Sequence, residues 1–313
     1  YLVVVLGYPE DTTAAQYARS MGRLMIWSTE FRRDYAALTL SDFDAWQKWL
    51  FITHRNATDW RANQLAAARQ FYQWRHTRGI GPNCAANTRI SRRGSRMARK
   101  YTDEQLRAML SHTANRLSPE MRVRDRTMLL ALLATGARRE EISKMSPHEM
   151  DLGAQTGVIR FHGKGAKERE VPIEGPVVQA LSEWMGVRDG LPFPFDPDAV
   201  FVGLIGPHRG NRMGLRTIEN VIAHHAQGCK VRSYGVHRFR VNFATALYDA
   251  GAGLEEIRVL LGHESIETTR RYIAVSDRAR KTRLSSAHQH RILGTKNQGQ
   301  PRWMSAALGR AAE

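Results

Sequence analysis

Residues 89–100, RISRRGSRMARK, constrain the fold of this chain more than any other stretch: six of them are basic and none is acidic. A run of unpaired cations does not enter an apolar core. It therefore divides the chain into two segments, each of which has to build a core of its own. A length of 313 residues also suggests two domains. A solvated, flexible linker fits the run. So does a strip of chain lying along phosphates, where its cations would release counterions.

The segment before the run is patterned as helix throughout. Residues 12–33 carry Tyr17, Met21, Leu24 and Trp27 at helical spacing. A second helix is expected from about Ser41, its N-cap, with Phe43, Trp46 and Leu50 on one face. A third runs from about Ala57 through Trp60, Leu65, Ala68, Phe71 and Trp74 to Gly79. After the run, Thr102-Asp103-Glu104-Gln105 reads as a capping box. An apolar helix is predicted over 124–136 and another from Arg138 to Met145. GVIRFHGKG and EREVPI alternate like the two strands of a hairpin. Further helices are predicted around 175–187, 215–227, 236–250, 254–261 and 266–285. The expected fold class is mainly α with a small β-sheet: a helical N-terminal domain over 12–88, the basic linker, and a mixed α/β domain over 101–288. In the tail, 289–313, Pro301 to Leu308 suits a short docking helix or disorder. The apolar opening YLVVVLGYP lacks the basic region and cleavage site of a signal peptide. It suits a strand, a loose arm or a remnant, and the absence of an initial Met favours truncation or processing.

A formal charge of +17 and a pI near 10.5 call for a polyanionic partner. No stretch approaches the roughly 18 apolar residues of a membrane span, so no membrane role is expected, and the cytoplasm or nucleoid of a bacterium or phage host is the expected location. Cys84 and Cys229 have neither disulfide nor zinc spacing. His224 and His225 also lack ligand spacing and are expected on a helix surface. No phosphate-binding glycine loop and no two-metal carboxylate cluster is present, so neither metal nor cofactor is expected.

Six polar residues in the second segment suit covalent attack on a phosphodiester. Arg138 lies in ATGARREEI with Glu141 on the same helix face, while Arg139 points about 100° away. Lys164 sits between two glycines in a predicted turn. His237 and Arg240 share a helix face, and Tyr272 follows His263 by nine residues. Each has a bland reading: an exposed ion pair, a solvated turn lysine, a structural histidine, a packed aromatic. As a set they supply guanidiniums for non-bridging oxygens, an ammonium for a leaving oxygen, and a phenol as nucleophile. An unperturbed phenol, with a pKa of about 10, needs nearby cations to react near neutrality.

Four motifs, TG-x-R-x-x-E, GKG-x-K-x-R-x-VP, H-x-x-R-x-x-FAT and LGH with Tyr nine residues on, resemble the tyrosine recombinase (phage integrase) family over roughly residues 12–285. The resemblance implies a site-specific DNA recombinase acting through a 3′-phosphotyrosyl intermediate and a Holliday junction. By it the helical domain is a core-binding clamp and the second domain is catalytic. Tyr272 would be the nucleophile, Arg138 and Arg240 the phosphate clamp, and Lys164 the general acid. His237 and His263 would assist at the same phosphate, with Glu141 orienting Arg138. Lys167 and Arg169 would contact backbone phosphates or pack on the strand, and Arg89, Arg92, Arg93, Arg96, Arg99 and Lys100 would follow the DNA. The partners implied are double-stranded recombination sites, a homotetramer on two duplexes, and accessory or directionality factors. The family's Asn-Pro after the clamp becomes Pro82-Asn83-Cys84, and Phe239, Val241 and Asn242 depart from its usual residues around Arg240. With no arm-binding domain before residue 12, a compact Xer-like integrase of a phage or mobile element is the expected subtype. A type IB topoisomerase shares this chemistry and is the alternative; a non-catalytic DNA-binding protein on the same scaffold is the second.

Overall fold

A computed structural model describes residues 15–54, 58–89, 99–162, 168–232 and 234–273. The chain divides into two units, Tyr1–Arg96 and Met97–Glu313. The first contains α1 (Ala15–Glu30), α2 (Leu40–His54) and α3 (Thr58–Thr77). Leu24 and Trp27 from α1, Phe43, Trp46 and Leu50 from α2, and Leu65, Ala68 and Tyr72 from α3 form one core. The apolar faces read from the sequence on α1 and α2 are therefore faces that meet; on α3 it is Tyr72 that is buried, while Phe71 and Trp74, which the spacing had named, are only partly buried. Helix α2 starts one residue before the expected cap. Thr39 rather than Ser41 caps it, its Oγ1 accepting the Asp42 N–H (3.3 Å) while Asp42 Oδ2 accepts the Thr39 N–H (2.9 Å).

The second unit is built on α5 (Pro119–Thr135), which buries residues on all sides and packs against α7 (Pro176–Asp189) and α9 (Val236–Asp249). It begins earlier than its apolar run, because Ser118 caps it and Pro119 occupies its first turn. Before it lies α4 (Asp103–His112), where Thr102 and Gln105 form the predicted capping box. Helix α6 (Arg139–Lys144) leads to an antiparallel sheet ordered β1 (Met150–Leu152), β2 (Thr156–His162), β3 (Glu168–Glu174). The hairpin of β2 and β3 was legible as alternation; β1, three residues long, was not. Helices α8 (Leu215–Gly228) and α10 (Leu254–Leu261) complete the unit with α11, residues 266–273. Asn242, one of the departures from the family pattern, ties α9 to the start of the unit. Its amide exchanges two hydrogen bonds with the Tyr101 backbone (2.8 and 2.9 Å).

Candidate active site

The site is assembled on the C-terminal end of α10. The last carbonyls of a helix have no partner within it, and here guanidiniums from three other segments supply one. Arg169 Nε donates to Leu260 O (2.8 Å), Arg240 Nη2 to Leu261 O, and Arg138 Nη2 to Gly262 O (2.8 Å). The partial negative charge of a helix C-terminus favours cations there. Two glycines make the approach possible. Gly262, at φ +61°, ends α10 in the left-handed region, and a Cβ would press on Arg169 Cδ at 3.3 Å. Gly136, at φ +57°, ends α5 under the Phe243 ring, which a Cβ would meet at 2.7 Å. Its carbonyl accepts Arg240 Nη1 (2.7 Å).

Glu141 binds the cations together. It accepts both terminal nitrogens of Arg169 (2.6 and 2.8 Å), Nη1 of Arg138 (2.9 Å) and the Arg138 backbone N–H (2.6 Å). Burial alone would raise its carboxyl, but Arg169 first and Arg138 next hold it down at about 2. Three guanidiniums with one carboxylate, which pairs with Arg138 and Arg169 only, leave a positive surplus among them. Burial, with Arg138 beside it, lowers Arg240 to about 10, so it remains a cation near neutrality.

Tyr272, on α11, is buried between two imidazoles. The His237 and His263 rings each lie 5.1 Å from its ring, centroid to centroid, and meet it edge-on. His263 Nδ1 is 2.9 Å from Thr269 Oγ1, a bond that ties the turn after α10 to α11. Burial, then the Arg240 and Arg138 charges, push His263 down to about 3; burial and Arg240 lower His237 too. Both imidazoles are neutral near pH 7.

These shifts fix the sign of the pH dependence. His263 stays neutral when folded and protonates when unfolded, so its contribution is complete above about pH 6.5 and fades as pH falls toward 3. Glu141 adds a loss in the same direction, beginning below about 4.5 and running toward 2. Thermal unfolding followed from about pH 7 down to about pH 5 should show a falling midpoint, less steep in His263→Gln. An identical pH slope in that variant would exclude His263 as a source.

Arg138, His237, Arg240, His263 and Tyr272, distant in sequence, thus meet at one place with Glu141. Lys164 and Lys167 lie outside the described residues, as do Arg92, Arg93 and Arg96 of the basic run; Arg89 and Arg99 are exposed. Arg139 projects elsewhere and meets Glu219 at 3.4 Å. Of the two places expected for Arg169, the structure has the second: it is 7% exposed and its guanidinium is bonded to Glu141 and Leu260, so it packs rather than meeting backbone phosphates. The signal was available: Arg169 alternates with inward-facing Val171 and Ile173 on β3, and an inward charge demands a partner. His225 is a correction. It is fully buried and its Nε2 meets Asp125 Oδ2 at 3.0 Å, whereas His224 is exposed as expected. Thr269 was not singled out, since a lone threonine gives no sign of its partner.

Known proteins resemble this chain over most of its length. Residues 99–279 match the model of the phage integrase family. The chain belongs to that family. It is 30% identical over 277 residues to the tyrosine recombinase XerC of Corynebacterium glutamicum, covering 86% of this chain and 87% of that protein. To XerD of Vibrio cholerae it is 29% identical over 287 residues, covering 90% and 91%. The fold matches XerH site-specific recombinase, solved bound to a palindromic difH substrate as a post-cleavage complex, with a TM-score of 0.71 at 20% identity. That match covers 88% of this chain and 78% of XerH. Membership of the family makes this chain a tyrosine site-specific recombinase, an enzyme that breaks and rejoins DNA.

Proposed function

We propose that Tyr272 is the nucleophile of this recombinase, acting on a phosphodiester held by Arg138 and Arg240. The observation that carries this reading is the burial of one phenol between two neutral imidazoles, beside guanidiniums in excess of their carboxylate. The phenol oxygen bonds to phosphorus and the bond to the 5′-oxygen breaks, leaving a 3′-phosphotyrosyl enzyme and a 5′-hydroxyl. His237 and His263 flank the phenol, where one can receive its proton. A bound phosphate offsets the arginine field that depresses His263, so its basicity rises when DNA arrives. Attack by a 5′-hydroxyl of the partner duplex reverses the step, and two such rounds pass through a four-way junction. The test is incubation with candidate attachment-site DNA, scored for covalent complexes and joined products. Relaxation of supercoiled DNA with no site requirement would instead favour the topoisomerase.

Lys164 is proposed as the acid that protonates the leaving 5′-oxygen. Lys164→Ala should slow cleavage on the order of 10²-fold or more. A substrate with sulfur at the bridging 5′ position leaves as a thiolate without needing the proton, so the variant should cleave it nearly as fast as wild type does. Equal slowing on both substrates would make Lys164 a positioning residue only.

The assembly proposed is a homotetramer on two duplexes, with the helical unit as clamp and the run over 89–100 lying against phosphate. A cytoplasmic, nucleoid-associated integrase of a phage or mobile element suits the charge of +17. Accessory or directionality factors would then select between integration and excision. Among the described residues no helix is long and apolar enough to cross a membrane.

A further inference from the structure

We propose that His112, His224 and His225 form a binding site for a borderline divalent metal ion, zinc above all, that clips α4 to α8. The three residues offer ring nitrogens that all lie within 4.8 Å of one another. His112 closes α4, and the other two are neighbours on α8. Their rings stand edge-on to each other, with centroids 5.1 to 5.4 Å apart, so they surround a point rather than stack.

The orientation of His225 is decisive. Its Nε2 faces Asp125 Oδ2 at 3.0 Å, deep in the core, so that nitrogen carries the proton and donates it to the carboxylate. The Nδ1 lone pair is left facing His112 Nδ1 at 3.1 Å. Carboxylate–imidazole–metal is the usual arrangement for a zinc-bound histidine, since the carboxylate fixes the tautomer and raises ligand basicity. Two nitrogens on one tetrahedral zinc, each about 2.0–2.1 Å from it, stand about 3.3 Å apart. The observed separation needs only a small adjustment to admit the ion between them.

The backbone is shaped to hold His112 there. A Cβ on Gly228 would sit 2.1 Å from His112 Nε2, so the ring occupies space that only glycine leaves open. His224 is exposed, which leaves a side of the cluster open for a water or a further ligand. Imidazoles without thiolates suit zinc, copper or nickel rather than calcium or magnesium. Asp125 also meets Arg116 (2.8 Å) and Arg124 (2.7 Å). Those cations share its charge and oppose a further positive ion, so a moderate affinity is expected.

The test uses the tag-free chain of 313 residues, stripped with a chelator and titrated with zinc and with cobalt. One ion should bind per chain, and the cobalt form should show the visible absorption of a tetrahedral site. At a hundredfold excess over Kd the unfolding midpoint should rise by about 5–10 °C. His224→Gln, on an exposed position and therefore benign to folding, should weaken binding at least about tenfold, and His112→Gln likewise. Binding that survives both substitutions would place the ion at other histidines and overturn the proposal. If wild type takes up no stoichiometric ion, the pair is a simple imidazole–imidazole hydrogen bond. None of these three histidines contributes to the Tyr272 site, so the zinc titration and the covalent-adduct assay can fail independently.

Discussion

Tyr272→Phe is expected to bind its DNA site as wild type does and to yield no covalent protein–DNA adduct. The substitution removes one oxygen and keeps the ring, and the ring makes the packing. It stands edge-on between His237 and His263, contacts that phenylalanine reproduces. Folding stability should therefore change little, while the bond to phosphorus cannot form. Denaturing gels after incubation with nicked suicide substrates give the readout, since trapped adduct accumulates only where the nucleophile survives. Other phenols nearby are poor candidates. Tyr234 is exposed and its hydroxyl accepts from Gln227 Nε2 at 2.7 Å, and Tyr248 packs on the core. Adduct at wild-type level in the variant would nevertheless assign the attack to another residue.

Glu141→Gln should cost about 3–5 kcal/mol, the usual consequence of removing one partner from a buried ion pair. The side chains of Arg169 and Glu141 are each only 5% exposed. Without the carboxylate, the Arg169 charge is buried opposite Arg138 and Arg240 with nothing to neutralise it. For a unit of this size the unfolding midpoint should fall by about 6–20 °C. Cleavage should fall as well, because Arg138 loses the partner that fixes its guanidinium. Replacing Glu141 and Arg169 together with leucine should recover part of the stability but not the cleavage, since what the core cannot hold is a charge without its partner. A midpoint within about 2 °C of wild type for Glu141→Gln would show that water or another anion reaches the cluster.

Residues that act through local pattern were legible before the structure. The capping box at Thr102, the faces of α1 and α2 and the β2–β3 alternation each depend on neighbours a few positions away. The candidate site was legible for a different reason: the chemistry proposed for it requires a particular set of side chains, and four motifs carried them. Pairings across long separations were not. Nothing in the sequence says that Glu141 is shared between Arg138 and Arg169, or that His225 faces Asp125, because these partners are chosen by how helices and strands pack. Even so, an arginine at an inward position of β3 marks a charge that needed a counterpart, and the same alternation that identified the strand identified it.

The end of α10 couples the length of one helix to the placing of the arginines of the candidate site. Successive residues of a helix are about 100° apart, and Leu260, Leu261 and Gly262 each present a carbonyl to a guanidinium from a different segment. Inserting or deleting a single residue in α10 would turn all three carbonyls away from their arginines in one step. It would also displace His263, the next residue in the chain, and with it the bond to Thr269 that positions α11. A change of length within α10, whose eight residues set where these carbonyls fall, would therefore move Arg138, Arg169, Arg240 and Tyr272 relative to one another.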